Sequence, residues 1–256
     1  FLFIKRRMSP AESTEAVKLS LMESKTLLFG ATGGIGSQVC TRLLDRGYRV
    51  TAFVRSSSRL PEPCKGHPLL TVVEDPRGHL ALCGREFKEL VDGHDTVVQC
   101  LGHNLSFSGM FLPPRRLCRD TVRKICGSLN GPNQQIKLIV INTEGVDRPD
   151  GGDGSVRGCC EKVILGCLKC CIPPHADNVA TLSCLDDLAS SNPNISFCAV
   201  RPSDLVDKEP SKYEVHETLQ NGIFNAGETS RSNVGEFMAS LVADETLWSK
   251  WKNKYP

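Results

Sequence analysis

Three glycines closing an apolar run carry the strongest chemical signal in the chain. The run Leu27-Leu28-Phe29-Gly30-Ala31-Thr32-Gly33-Gly34-Ile35-Gly36 has the form of a strand that turns directly into a helix. The first N–H groups of such a helix lack intrahelical acceptors and the peptide dipoles aim their positive ends at the turn, so a pyrophosphate can rest on bare backbone. Gly30 permits the tight strand exit, Gly33 the close approach of phosphate, and Gly36 close packing of the helix on the sheet. Thr32, Gly34 and Ile35 complete the cradle, and the reading is a dinucleotide-binding turn.

Arg55 selects between the two nicotinamide dinucleotides. An acid at the end of the second strand would bond the ribose hydroxyls of NAD, but here Val54 is followed by Arg55, whose guanidinium can pair with a 2′-phosphate through two donors. Ser56, Ser57 and Arg59 add donors beside it, so the expected cofactor is NADP(H).

Proton chemistry is harder to place. A phenol four residues ahead of a lysine would donate or accept a proton in an alcohol dehydrogenase, yet none of Tyr48, Tyr213 and Tyr255 starts that spacing. His175, in Pro173-Pro174-His175-Ala176-Asp177-Asn178, falls at a helix entrance near the expected rim of the site, and Asn178 shares its helical face. Capping is the competing reading of His175. Glu144 reads as a substrate contact or a solvated loop acid, His103 and Asn104 as pocket or turn residues, and His216 as a ligand contact beside Tyr213 and Glu214.

Thirteen cysteines invite a disulfide or metal reading. The odd count and ordinary length point to reduced thiols. Cys167, Cys170 and Cys171 with His175 could supply soft ligands, but no second spaced pair supports them, so no metal site is expected. In a helix Val163, Ile164, Cys167, Leu168 and Cys171 trace one apolar face, predicting buried packing thiols.

These groups need a scaffold, and the chain alternates strand and helix. Strands are expected at 25–29, 49–54, 69–73, 95–101, 137–141 and 195–200, and helices at 36–44, 86–91, 115–126, 161–171 and 177–188. Residues 142–158 read as an irregular loop at the carboxyl edge. Repeated crossovers predict an α/β, Rossmann-like, doubly wound parallel sheet, followed by a small C-terminal substrate-side lobe with a hairpin and a terminal helix. Residues 1–24 read as a flexible extension and 25–256 as a single domain, with substrate-side elements mainly in 143–180 and 203–256.

Composition narrows the class further. With 256 residues and 40% hydrophobic content the chain can bury a substantial core, and a net charge of +2 lacks the basic excess of a nucleic-acid binder. No apolar run approaches membrane-spanning length and Phe1-Leu2-Phe3-Ile4-Lys5-Arg6-Arg7 has the wrong order for a secretory signal, so a cytoplasmic protein without stable membrane association is expected.

The glycine turn, Arg55 and the alternation together resemble the atypical short-chain dehydrogenase/reductase superfamily, in its NAD(P)-binding, NmrA-like branch. The segment from Gly47 to Pro61 is similar to the biliverdin and flavin reductase group, with weaker similarity at Leu101-Gly102-His103-Asn104-Leu105-Ser106, Val200-Arg201-Pro202 and Ser230-Arg231-Ser232-Asn233-Val234. The resemblance implies that Asp75 approaches adenine, that Cys100, Leu101 and Gly102 border the ribose and pyrophosphate, that Thr143 lies near the nicotinamide, and that Arg201-Pro202-Ser203 closes over it. Glu74-Asp75 departs from the Gly-Asp of that group.

Chemistry of this kind dispenses with the tyrosine–lysine pair, because an oxidised flavin or linear tetrapyrrole is already electrophilic and geometry does much of the work. The leading expectation is an NADPH-dependent reductase of a flavin, quinone or related conjugated acceptor. The alternative is an NADP(H)-sensing regulator of NmrA-like type that signals through a protein partner. An epimerase using transient oxidation is disfavoured by Arg55 and the missing tyrosine.

Overall fold

The computed structural model describes residues 24–103, 106–129 and 134–256. The extension expected over residues 1–24 falls outside them except for Ser24, as do Asn104 and Leu105.

Six parallel strands form the main sheet: β1 (Lys25–Phe29), β2 (Arg49–Val54), β3 (Leu70–Glu74), β4 (Thr96–Gln99), β5 (Ile136–Ile141) and β6 (Ile195–Val200), in the order β3-β2-β1-β4-β5-β6. Chain order reverses between β1 and β4, which opens a crevice at their carboxyl ends, the usual ligand position in such sheets. The helices are α1 (Gly34–Asp45), α2 (Gly84–Val91), α3 (Phe107–Phe111), α4 (Leu117–Gly127), α5 (Cys159–Cys171), α6 (Pro173–Ser191), α7 (Arg231–Ala243) and α8 (Glu245–Trp251).

The apolar strand runs are explained by burial on both faces. Successive side chains alternate sides. Thus Leu28, Ala52, Val98, Ile139 and Cys198 pack against Val39 and Leu43 of α1 and Phe237, Met238 and Leu241 of α7. Their neighbours Leu27, Phe29, Phe53, Val97, Leu138 and Phe197 pack instead against Phe87 of α2, Val122 and Ile125 of α4, and Leu182 and Leu185 of α6. This is the doubly wound arrangement.

Helices α1 and α7 lie side by side and point the same way. Gly34 meets Arg231, a Cβ on Gly235 would overlap Gln38, and Arg42 Nη2 donates to Ser232 Oγ at 2.6 Å. Farther along, Glu236 accepts from both Arg42 and Arg46. Both N-termini therefore sit at the carboxyl edge of the sheet.

Two expectations are corrected. The substrate-side lobe contains β7 (Asp204–Val206) paired with β8 (Glu228–Ser230), but the pair is parallel. A hairpin is excluded, because parallel partners need a crossover, here the long segment between Val206 and Glu228. The predicted apolar face of α5 is also not buried: Val163 is 67% exposed, Ile164 and Leu168 are exposed, and Cys159, Cys160, Cys167, Cys170 and Cys171 are all exposed free thiols. Periodicity identified the stripe but not what covers it. The buried thiols lie elsewhere, among them Cys40, Cys118 and Cys198.

Candidate functional site

The turn after β1 is dictated by contacts that only glycine allows. Gly30 has φ of 87°, and a Cβ there would lie 2.5 Å from the carbonyl oxygen of Cys100 at the end of β4. A Cβ on Gly36 would overlap the carbonyl oxygen of Gly30. Those glycines lock turn, helix and neighbouring strand together, while Gly33, whose N–H donates to Gly30 O at 2.9 Å, and Gly34 remain exposed. Ile35 turns into the core and Thr32 is half-buried, so the surface offered to a ligand is mainly backbone at the positive end of α1.

Cys100, Leu101 and Gly102 continue from β4 beside this turn. Burial pushes the Cys100 thiol up to about 12, which keeps it protonated and makes it a packing group. Leu101 accepts a hydrogen bond from Cys118 Sγ through its carbonyl, and Gly102 is exposed.

At the end of β2, Arg55 is exposed, and among the described residues its guanidinium has no hydrogen bond or ion pair. Gly78 lies under its stem, where a Cβ would come within 3.8 Å of Arg55 Cδ. Ser56 and Ser58 hydroxyls meet at 2.8 Å, and the Ser57 N–H donates to Glu74 Oε2 at 3.0 Å. Asp75 follows β3 and accepts from the backbone and side chain of Arg77, whose guanidinium holds its carboxyl below the usual range. A cationic side chain without a partner beside a small-residue turn fits a phosphate.

A cavity of about 530 Å³ opens beyond the carboxyl ends of β5 and β6, walled by the lobe; Glu144, Pro202, Ser203, Tyr213, His216 and Phe237 line it. Glu144 is anchored: its N–H donates to Pro202 O at 3.1 Å, and Ser203 Oγ donates to its Oε2 at 2.8 Å. Burial raises the Glu144 carboxyl above the ordinary value, outweighing the Ser203 bond and the nearby arginines. Thr143, half-buried just before it, accepts from Gly145 N–H through Oγ1, leaving the hydroxyl hydrogen out of that bond.

The remaining expected residues separate. Arg201 lines the cavity wall, but its guanidinium is buried in an ion pair with Asp153 at 2.6 Å and also donates to Val146 O and Tyr255 O. The arginine's charge is thus satisfied within the fold, and Pro202 and Ser203 are its neighbours in that segment that line the cavity. His175 is half-buried, burial lowers its pKa, and it does not line the cavity. His216 lines it, with Nε2 3.3 Å from Glu214 Oε2.

His103 is part of a buried network. Its Nε2 meets Asp177 Oδ2 at 2.8 Å and its Nδ1 meets Gly109 O at 3.1 Å, while Asp177 also accepts from Cys118 N and Arg119 N at the start of α4. Among the described residues, His103, Cys118 and Asp177 form the one group with metal-ligand atoms in mutual reach, but these hydrogen bonds already occupy the histidine and the carboxylate. It is a structural network.

Reading the sequence missed Arg231. Its Cδ lies 2.8 Å from where a Cβ on Gly34 would sit, across the glycine turn. Its position at the start of α7, two hundred residues downstream, carried no local signal of that proximity.

A family model described as NAD(P)H-binding matches residues 30–162, just over half of the chain, and the protein belongs to that family. Among solved structures it is similar to a proposed NADH-flavin reductase from Streptococcus pneumoniae TIGR4, at 17% identity and TM-score 0.59, with 86% of this chain and 93% of that one covered. It is also similar to Gre2 from Candida albicans, at 14% identity and TM-score 0.60, covering 91% and 76%. UDP-N-acetylglucosamine 4-epimerase from Methanobrevibacter ruminantium M1 matches at 16% identity and TM-score 0.59, covering 88% and 74%. At such identities the likeness is one of fold.

Proposed function

We propose that this member of the NAD(P)H-binding family is an NADP(H)-dependent reductase that passes hydride to a flavin, quinone or related conjugated acceptor. The observation that carries the reading is a shared edge: the glycine turn and unpartnered Arg55 lie at the carboxyl ends of β1 and β2, and the cavity lies at the carboxyl ends of β5 and β6. A dinucleotide laid along that edge spans from one to the other. The similarity to biliverdin reductase B in Gly47–Pro61 and to the streptococcal protein described as an NADH-flavin reductase points the same way.

NADPH supplies the hydride when bound. Exposed Gly33 and Gly34 and the first N–H groups of α1 would hold its pyrophosphate, Arg55 and Ser56 its 2′-phosphate, and Asp75 with Cys100, Leu101 and Gly102 would border the adenosine half. Thr143 and Pro202 would flank the nicotinamide half. Tyr213 and Phe237, whose rings meet edge to face at 6.4 Å, give the cavity an aromatic wall against which a planar acceptor can pack. Glu144, whose pKa burial raises above the ordinary carboxyl value, lines the cavity and in this reading would hand a proton to the reduced acceptor; His175 does not line it.

One observation favours a second reading, an NADP(H) sensor. Tyr48 is buried with its hydroxyl on Ala243 O and Tyr255 is buried on Asp186, leaving Tyr213 as the cavity's phenol, without the usual lysine spacing. Purified protein assayed with NADPH and NADH against FMN, riboflavin, a quinone and biliverdin separates the readings. Acceptor-dependent NADPH oxidation supports the reductase; tight NADPH binding with no oxidation across the panel supports the sensor.

A further inference from the structure

Arg231 stands over the part of the turn that the glycine pattern reserves for phosphate. Its Cδ is so close to Gly34 that any Cβ there would meet it at 2.8 Å, with Nε at 3.3 Å. Among the described residues the guanidinium is anchored on one side only: Nη1 pairs with Asp207 Oδ1 at 2.9 Å, and that aspartate is 86% exposed on the segment just after β7. Arg231 itself is about one-third exposed.

The surroundings make the position electropositive. Arg231 is the first residue of α7, capped by Ser230 Oγ accepting from Asn233 N–H, and α7 runs parallel to α1. Two helix N-termini and one guanidinium therefore converge on Gly33–Gly34, while the acids along the α1–α7 seam sit a full turn or more farther down: Glu236 is taken up by Arg42 and Arg46. Asp207 is the acid paired with Arg231 itself. A solvent-exposed carboxylate–guanidinium pair is weak, so a pyrophosphate with two charges and many acceptor oxygens competes well against it.

We propose that Arg231 is a pyrophosphate-binding residue of the cofactor site, and that cofactor binding exchanges its partner from Asp207 to the phosphates. The assignment rests on the proposed NADP(H) site and adds a contact that lies outside the matched family region, on the C-terminal lobe. It gives the site a division of labour: Arg55 reads the 2′-phosphate, whereas Arg231 reads what NADPH and NADH share. It also ties the lobe that walls the cavity to the occupied dinucleotide.

The test is a fluorescence titration of full-length protein with NADPH, NADH and 2′-AMP, comparing wild type, Arg231→Ala, Arg231→Lys and Asp207→Asn. Arg231→Ala should weaken NADPH and NADH by a similar factor, tenfold or more, and leave 2′-AMP unchanged, since 2′-AMP has no pyrophosphate. Arg231→Lys should recover part of the loss. Asp207→Asn, which keeps the arginine and removes its competitor, should tighten both dinucleotides several-fold and reports even if the alanine variant folds poorly. Equal binding by wild type and both Arg231 variants, or loss confined to NADPH, overturns the assignment. Failure of wild type to bind either dinucleotide would instead overturn the NADP(H) site itself and the assignment with it.

Discussion

His103 and Asp177 meet at 2.8 Å inside the protein, and both ring nitrogens of the histidine face acceptors: the Asp177 carboxylate at Nε2 and the Gly109 carbonyl at Nδ1. An imidazole can donate from both nitrogens only when protonated. Asp177 first, with the Gly109 carbonyl adding to it, outweighs burial and raises the His103 pKa. The same carboxylate caps α4, so one ion pair ties the segment after β4 to α4 and α6.

This pairing predicts a pH-dependent share of stability. The folded imidazole holds its proton more tightly than the unfolded one, whose pKa is about 6.5. The contribution is complete below that value and disappears as pH rises through the higher folded value. In urea titrations the stability gap between wild type and His103→Gln should be larger at pH 6 than at pH 9. An equal gap at both would mean that the pair does not titrate as stated.

Arg55→Ala should weaken NADPH by roughly 10- to 100-fold, the worth of one or two charge-assisted bonds, while changing NADH less than about twofold. Isothermal titration of both dinucleotides reads this directly. Parallel losses would remove Arg55 from the 2′-phosphate.

Gly30, just after β1, and Gly47, just before β2 at the opposite edge of the sheet, differ in consequence. Gly30 and Gly47 have similar positive φ, 87° and 82°, but only Gly30 faces a backbone atom, whereas nothing lies within 4 Å of a Cβ on Gly47. Gly47→Ala should destabilise by about 1 kcal/mol, the conformational term alone. Gly30→Ala adds a clash with Cys100 and should cost roughly 3 kcal/mol or more along with dinucleotide binding. Denaturant midpoints of the two variants make the comparison.

Arg201 and Asp153 form the buried counterpart to these surface sites. Burial disfavours the Asp153 charge, yet the bond and charge of Arg201, with N–H donation from Arg148 and Leu219, hold the carboxyl below its usual value. Asp153→Asn leaves a buried guanidinium without its charge partner and should lower stability by about 3–5 kcal/mol. A loss under 1 kcal/mol would show that water or rearrangement replaces the carboxylate.

Sheet and glycine turn were legible because their signals are local. Apolar runs of strand length, glycines at fixed offsets and an arginine one residue past β2 each depend on neighbours in sequence, and the parallel sense of the strands follows from crossover spacing. What was not legible depends on contacts between distant segments. Arg231 meets Gly34 only because α7 packs on α1, and β7 pairs with β8 across twenty-one intervening residues. The α5 stripe shows the converse: a helical period specifies a face without specifying what covers it. The places of His175 and Arg201 in the chain do not reveal the burial of the one or the Asp153 pair of the other, and these govern what their side chains do.

Under the proposed reductase reaction Glu144, not His175, is the acid that lines the cavity. The Glu144 carboxyl lines the cavity, is positioned by Ser203 and has its pKa raised by burial, so it stays protonated to a higher pH than a free glutamate. If it donates the proton that follows hydride transfer, turnover should be constant below its folded pKa and fall above it. Glu144→Gln preserves size and the bond to Ser203 but has no proton to give. Its kcat with the best acceptor should drop by roughly 100-fold and lose that alkaline limb, while NADPH affinity stays within about twofold. His175→Gln should alter neither. Should Glu144→Gln turn over at the wild-type rate with the wild-type profile, the proton comes from solvent and the carboxyl serves only to shape the cavity.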